Sequence, residues 1–150
     1  MAKRVRDLAM DAETRLRAAK LRLTRQRVKL AQLLFADSDR HVTAETLYGD
    51  AVRAGVQVSL ATVYNTLHQF TEAGLLRQIA VDARSYFDPN IGDHQHFFVE
   101  NDGELINIPG EDITVSGVPT PPKGMAVDRI DVLVRLKGIV TSPGKLRRSM

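Results

Sequence analysis

The chain has no cysteine anywhere in its 150 residues. That absence excludes disulfides, thiolate metal sites and cysteine nucleophiles together, and it fits a reducing cytoplasm. Long apolar runs are missing too. No window approaches the ~18 apolar residues that a membrane span needs. The basic residues near the N-terminus are not followed by an apolar core, so no secretory leader is expected. Internal repeats and low-complexity tracts are also lacking. What remains is the composition of a soluble, cytoplasmic globular protein, long enough for one domain or for two small ones sharing a dimer.

The charge is small but unevenly placed. The net value is +3, yet residues 1–36 carry ten Lys/Arg against Asp7, Asp11 and Glu13, a balance of +7. The other 114 residues carry eleven Lys/Arg and fifteen Asp/Glu, a balance of −4. A basic arm on a near-neutral body is an electrostatic footprint for a polyanion. A solvated, solubilising face has the same composition.

Apolar spacing predicts four helices and a hairpin in the first half. The first covers residues 1–20, with Val5, Leu8, Ala12, Leu16 and Ala19 on one side. Thr24 caps a second helix to Ala36, with Val28, Ala31, Leu34 and Phe35 inward. Arg22, Arg25 and Arg27 gather at its start, where backbone N–H groups favour an anion, as a phosphate clamp would. Thr43 caps a third helix that buries Leu47, Ala51 and Val52 and stops at Gly55. Ser59 caps the fourth, whose stripe is Leu60, Val63, Leu67 and Phe70 and whose end is Gly74.

The opposite face of that fourth helix carries Ala61, Thr62, Asn65, His68 and Gln69, with Tyr64 on the flank. It suits a DNA major groove. Ser59, Ala61 and Thr62 are small enough to let the helix sink in, and Ala61 and Thr62 can touch thymine methyls. Asn65 can bond adenine through both amide atoms, and Tyr64 can reach a phosphate. An ordinary amphipathic surface helix shares this periodicity. Leu75–Val81 and Ser85–Phe87 then read as a hairpin across Asp82-Ala83, with Arg77 and Arg84 placed to meet a DNA backbone. The outline is a winged helix-turn-helix.

The fold class expected is therefore α+β. Residues 1–88 form the winged-helix domain and 89–93 a hinge. Residues 94–140 form a small α/β dimerisation and ligand domain, and 141–150 a basic flexible tail. In the second half, His94–Glu100 and Leu105–Ile108 read as strands joined by Asn101-Asp-Gly103. Ile113–Val115 reads as a short extended piece, and Ile130–Leu136 as another strand.

Three histidines fall where an ion could gather them. His94 and His96 project from one face of a strand. With His41 and Asp88 they make a nitrogen/oxygen set for zinc, manganese or iron(II), with Asp93 as a spare carboxylate. Alternatively His94 and His96, beside Phe97 and Phe98, could ligate a haem iron. His-x-His also occurs with no ligand at all. The same cluster could serve a small metalloenzyme, although no general base or nucleophile stands beside it. His68 reads as structural rather than as a ligand.

With those residues in view, the chain resembles the ferric uptake regulator superfamily from about Leu21 to Gly138. The resemblance is carried by Leu23-Thr-Arg-Gln-Arg27, His41-Val-Thr-Ala-Glu-Thr-Leu-Tyr48, Ser59-Leu-Ala-Thr-Val-Tyr-Asn-Thr-Leu67, Glu72-Ala-Gly-Leu75 and His94-Gln-His96. Pro121-Pro-Lys-Gly-Met125 and Asp131-Val-Leu-Val-Arg-Leu136 are similar to the iron response regulator branch of alphaproteobacteria. The resemblance implies a homodimer on a palindromic or inverted-repeat DNA operator, regulating iron homeostasis as a repressor or other regulator. It implies DNA contacts at Tyr64, Asn65 and Arg27, and a regulatory metal on His41, Asp88, His94 and His96. Asp88 stands where the family usually has glutamate. In the iron response branch the implied signal is haem near His94 and His96, weakening DNA binding. The paired Cys-x-x-Cys zinc motifs of many members are absent here, as is any N-terminal cysteine haem motif.

Overall fold

A computed structural model describes residues 11–142 and 145–147. The first half of the helix expected over 1–20, with Val5, Leu8 and the arm's Lys3, Arg4 and Arg6, lies outside the described residues. So do 143–144 and 148–150 of the expected tail. The chain divides into two compact units at Ile91/Gly92, inside the stretch read as a hinge.

Among the described residues, the first unit has four helices and a two-stranded wing. Residues 11–18 are helical (α1), followed by α2 (Arg25–Phe35), α3 (Ala44–Arg53) and α4 (Leu60–Glu72). Each of the last three starts on a hydroxyl cap. Thr24 accepts from the Arg27 amide, Thr43 from Thr46, and Ser59 from Thr62. Such caps satisfy amides that have no partner within the helix. Gly55 and Gly74 follow α3 and α4 with φ of 74° and 81°, a left-handed turn that strains other side chains.

The apolar stripes meet in one core. Ala12 and Leu16 of α1 pack with Leu30, Ala31 and Leu34 of α2, Leu47 and Ala51 of α3, and Val63, Leu67 and Phe70 of α4. Two residues expected inside are outside. Val52 is 55% exposed, because it stands about 100° round the helix from Ala51. Leu60 is 42% exposed, because the buried stripe of α4 runs through Val63, Thr66, Leu67 and Phe70 and leaves the first residue beyond the core's edge.

Asp50 ties the end of α3 to the preceding loop. Burial raises its carboxyl, but the Arg40 guanidinium at 2.6 Å, together with Arg53, outweighs burial and holds it below the usual range.

The wing comprises β1 (Arg77–Val81) and β2 (Arg84–Asp88), paired from Arg77↔Asp88 to Val81↔Arg84. It begins two residues later than the predicted Leu75. Val42 adds a third rung by exchanging both backbone hydrogen bonds with Phe87, at 3.0 and 2.7 Å.

The second unit is strand-built. β3 (His94–Val99) pairs antiparallel with β4 (Glu104–Pro109) across the expected Asn101-Asp-Gly103 turn. β5 (Leu133–Leu136) joins the other edge of β3 in parallel, giving the order β4-β3-β5. A parallel pair needs a long crossover, usually a helix. Here that crossover is irregular, because Pro119, Pro121 and Pro122 remove donors and forbid helix. The expected α/β domain is corrected accordingly: among the described residues this unit has strands and one 3-10 turn, Gly110–Asp112, but no α-helix. Ile113–Val115 forms no strand. Gln95 latches the crossover, accepting from the Val132 amide at 2.6 Å and donating to the Ile130 carbonyl at 3.3 Å. Where a flexible tail was expected, β6 (Ile139–Ser142) and β7 (Lys145–Arg147) form a small antiparallel hairpin.

Candidate nucleic-acid interface and metal-ligating residues

The outer face of α4 is open, as a reading helix needs. Ala61, Tyr64 and Asn65 are exposed, with Tyr64 at 45%, and Thr62 is half-exposed. Ser59 and Thr62 bond one another: the Ser59 hydroxyl accepts from the Thr62 amide at 3.1 Å and lies 2.9 Å from its hydroxyl. Ser59 therefore sets the start of the helix.

His68 supplies a support that spacing did not reveal. Its ring lies 4.6 Å from that of Tyr64 and meets Phe87 edge-on at 5.6 Å. Phe87 is fully buried in the wing, so Tyr64 leans on a fixed point. The only sequence signal was the i, i+4 spacing of Tyr64 and His68.

Arg22 and Arg25 are exposed at the start of α2, and Arg27 is half-buried. Arg27 donates to the Arg22 carbonyl at 2.9 Å and to the Gln69 side chain at 3.0 Å. It thereby fastens α4 to α2. A guanidinium has five donors, so it can serve a phosphate as well. Gln26 makes a parallel tie to the Gln57 carbonyl at 2.9 Å. One cleft opens beside α4 and another beside α2. One, of about 440 Å³, lies between Thr43, Glu45 and Tyr64 and the wing's Ala83 and Arg84. The other, of about 620 Å³, is lined by Arg25, Lys29 and the Gly55–Gln57 link.

One expected DNA contact is corrected. Arg77 is 8% exposed, because alternation along β1 puts it on the buried face with Ile79 and Val81. It cannot lie along a phosphate backbone. Arg84, at the turn of the wing, is exposed and can.

The four expected metal ligands fall into two pairs, one in each unit. In the first, the Val42–Phe87 rung sets His41 beside Asp88. His41 Nε2 lies 3.1 Å from Asp88 Oδ2, and both side chains are buried. Neighbouring ligands on an ion with bonds of about 2.0–2.2 Å lie roughly 3.0–3.4 Å apart, so the pair fits one ion. A protonated His41 would hold the same distance by charge.

In the second unit, His94 and His96 are both buried on one face of β3, with ring centroids 4.7 Å apart. His94 Nδ1 is 2.7 Å from the Gly92 carbonyl, which can only accept, so Nδ1 carries the proton. In the neutral ring Nε2 is then the ligating nitrogen, the orientation that metal-bound histidines usually take. The donor set of imidazoles and a carboxylate suits zinc, manganese or iron(II). Haem fits it poorly. The two rings pack edge-to-face and are 5% and 2% exposed, which leaves no face on which a porphyrin plane could lie across either nitrogen. Asp93, the spare carboxylate, is exposed.

The ferric uptake regulator family profile matches residues 18–127. The chain belongs to that family. A ferric uptake regulation protein of Pseudomonas aeruginosa is 38% identical over 99 residues, 65% of this chain and 74% of that protein. Its counterpart in Escherichia coli K12 is 32% identical over 105 residues, 69% of this chain and 71% of that one. Among solved structures, the P. aeruginosa ferric uptake regulator with manganese has a TM-score of 0.66 at 29% identity, covering 84% of this chain and 96% of that one. The Vibrio cholerae regulator, at 22% identity and a TM-score of 0.64, covers 83% and 97% and shares the fold. Ferric uptake regulators are transcription regulators of iron and metal homeostasis and not enzymes, so the metalloenzyme alternative falls away. Among the described residues, no helix is long and apolar enough to cross a membrane.

Proposed function

We propose that this chain is a cytoplasmic, homodimeric regulator of iron homeostasis in the iron response regulator branch. It binds a palindromic or inverted-repeat DNA operator through α4, and a divalent metal switches that binding. Ala61, Thr62 and Asn65 meet base edges. Tyr64, Arg22, Arg25, Arg27 and Arg84 meet the backbone. The ion takes His41 and Asp88 from one unit and His94 and His96 from the other.

The observation carrying the switch is the split of donors. Each pair offers two ligands, and neither completes a four-coordinate shell. An ion that takes all four must fix the two units relative to each other. In a dimer this sets the spacing between two α4 helices, which must match half-sites about 34–36 Å apart or a multiple of that. To act as a switch the ion must favour one arrangement, and a shift from 1:99 to 99:1 needs about 10⁴-fold preference. The manganese in the P. aeruginosa relative supports a divalent ion over haem.

The test is enrichment of a random duplex pool by the purified protein, followed by anisotropy on the enriched site at fixed salt. Metal-stripped protein is titrated with manganese(II), zinc(II) or haemin. The proposal expects inverted-repeat sites and binding that strengthens with a divalent ion. Tight binding without metal that is lost only on adding haemin would replace it with the haem-responsive reading.

A further inference from the structure

Three rings run from the wing to the open face of α4. Tyr64 and His68 lie one helical turn apart, with ring centroids separated by 4.6 Å. The His68 ring meets Phe87 edge-on, at 5.6 Å and 89°. Phe87 is 0% exposed and His68 is half-buried, whereas Tyr64 is open to solvent. The run therefore leads from a fixed ring to one that can reach DNA, and tilted or edge-on contacts at this spacing are favourable ring geometries. Phe87 is held in turn by its backbone, through the isolated rung of two hydrogen bonds with Val42. The next residues along the same two segments, His41 and Asp88, face each other at 3.1 Å. Successive side chains of a strand leave it on opposite faces, so Asp88 and the Phe87 ring lie on the two sides of one rung. All six residues belong to the first unit.

We infer that His68 is a positioning residue for Tyr64, and that through Phe87 it ties the DNA-facing ring to the rung that carries the His41–Asp88 pair. A tyrosine on an open helix face samples several rotamers, and fixing one of them on binding costs entropy. A neighbouring ring that is itself anchored on Phe87 meets part of that cost before DNA arrives. The rung is only two hydrogen bonds, each a modest net contribution. Joining His41 and Asp88 on its other side holds it closed, and so holds Phe87, His68 and Tyr64 in their stack. The link to the His41–Asp88 pair rests on the divalent-metal reading above, and the support of Tyr64 does not. Because every member lies in the first unit, the stack works beside any change in how the two units are placed.

The experiment uses the full chain with isotope-labelled tyrosine rings, and follows the Tyr64 ring by NMR, assigned with Tyr64→Phe. Zinc(II) is the metal probe because it is diamagnetic. DNA affinity is measured by anisotropy at fixed salt and pH. In metal-free protein, His68→Ala is expected to move the Tyr64 signals toward those of a free tyrosine and to weaken DNA binding by about 2- to 10-fold, the worth of one ring pair. His68→Phe, which keeps a ring but has no ring nitrogen, should restore both. The His68→Ala loss should vanish in a Tyr64→Ala background. If His68→Ala fails to fold, His68→Gln, which has no ring, takes its place. Zinc(II) should shift the Tyr64 signals of wild type but not those of His41→Ala or His68→Ala. Tyr64 signals unchanged in His68→Ala would overturn the support. A His68→Ala loss that persists without Tyr64, or that His68→Phe does not restore, would mean that His68 bonds DNA itself, and would overturn positioning. Zinc(II) uptake by wild type with no change at Tyr64 would overturn the tie to the His41–Asp88 pair. No zinc(II) uptake by wild type would sink the metal reading, and the metal-free spectra would still decide the role of His68.

Discussion

Asn65 and Arg84 are both exposed, and the proposed function gives them different work. Asn65 is exposed one turn beyond Ala61, where its amide can pair with a base edge. Arg84 stands beside the turn of the wing and is proposed to meet the backbone. Asn65→Ala should therefore weaken the preferred site by about 1–3 kcal/mol and leave non-specific DNA nearly unchanged. Arg84→Ala should weaken both alike and lower the slope of log affinity against log salt by about 1. Anisotropy on specific and scrambled duplexes over a salt series separates them. Equal losses on both duplexes in Asn65→Ala would remove the base contact from the account. Arg77 belongs with neither. Period-two spacing with Ile79 and Val81 already marked it as inward, and only the pull of its charge argued otherwise.

At the scale of elements, the hydroxyl caps and apolar stripes were readable because they are local. Thr24, Thr43 and Ser59 each cap the helix that spacing assigned to them. The Arg27–Gln69 tie joins residues 42 apart and was not readable. It predicts that Arg27→Met loosens α4 from α2 and lowers stability by about 0.5–1.5 kcal/mol, since two hydrogen bonds to solvent-exposed partners are lost. Chemical denaturation checks this, and an unchanged midpoint would argue against the tie. Leu67→Ala, at a site of 0% exposure, should cost about 2–5 kcal/mol by leaving a cavity. Asp50 adds a pH dependence. Its folded carboxyl is held below the ordinary value of 3.8, so its contribution is full above that value and is lost as pH falls through the lower folded one. Arg40 and Arg53 are 40% and 72% exposed, so screening keeps the effect near or under about 1 kcal/mol. The stability difference between wild type and Asp50→Asn should be flat at neutral pH and shrink below 3.8. A difference that grew on acidification would reverse the assignment. The parallel β5 likewise escaped prediction, because its crossover has no helical pattern to announce it.

In the whole molecule, the proposed ion would link metal binding to DNA binding. If a divalent metal fixes the two units in the arrangement that fits DNA, metal and DNA must each strengthen the other by the same factor. The direct measurement is the manganese(II) affinity of the chain alone and of the chain saturated with its enriched operator, at one salt concentration. The account predicts tighter manganese(II) binding on DNA, by the factor through which manganese(II) tightens DNA binding, and loss of that coupling in His41→Ala and His94→Ala. Equal manganese(II) affinity with and without DNA would contradict it, however tightly either partner bound.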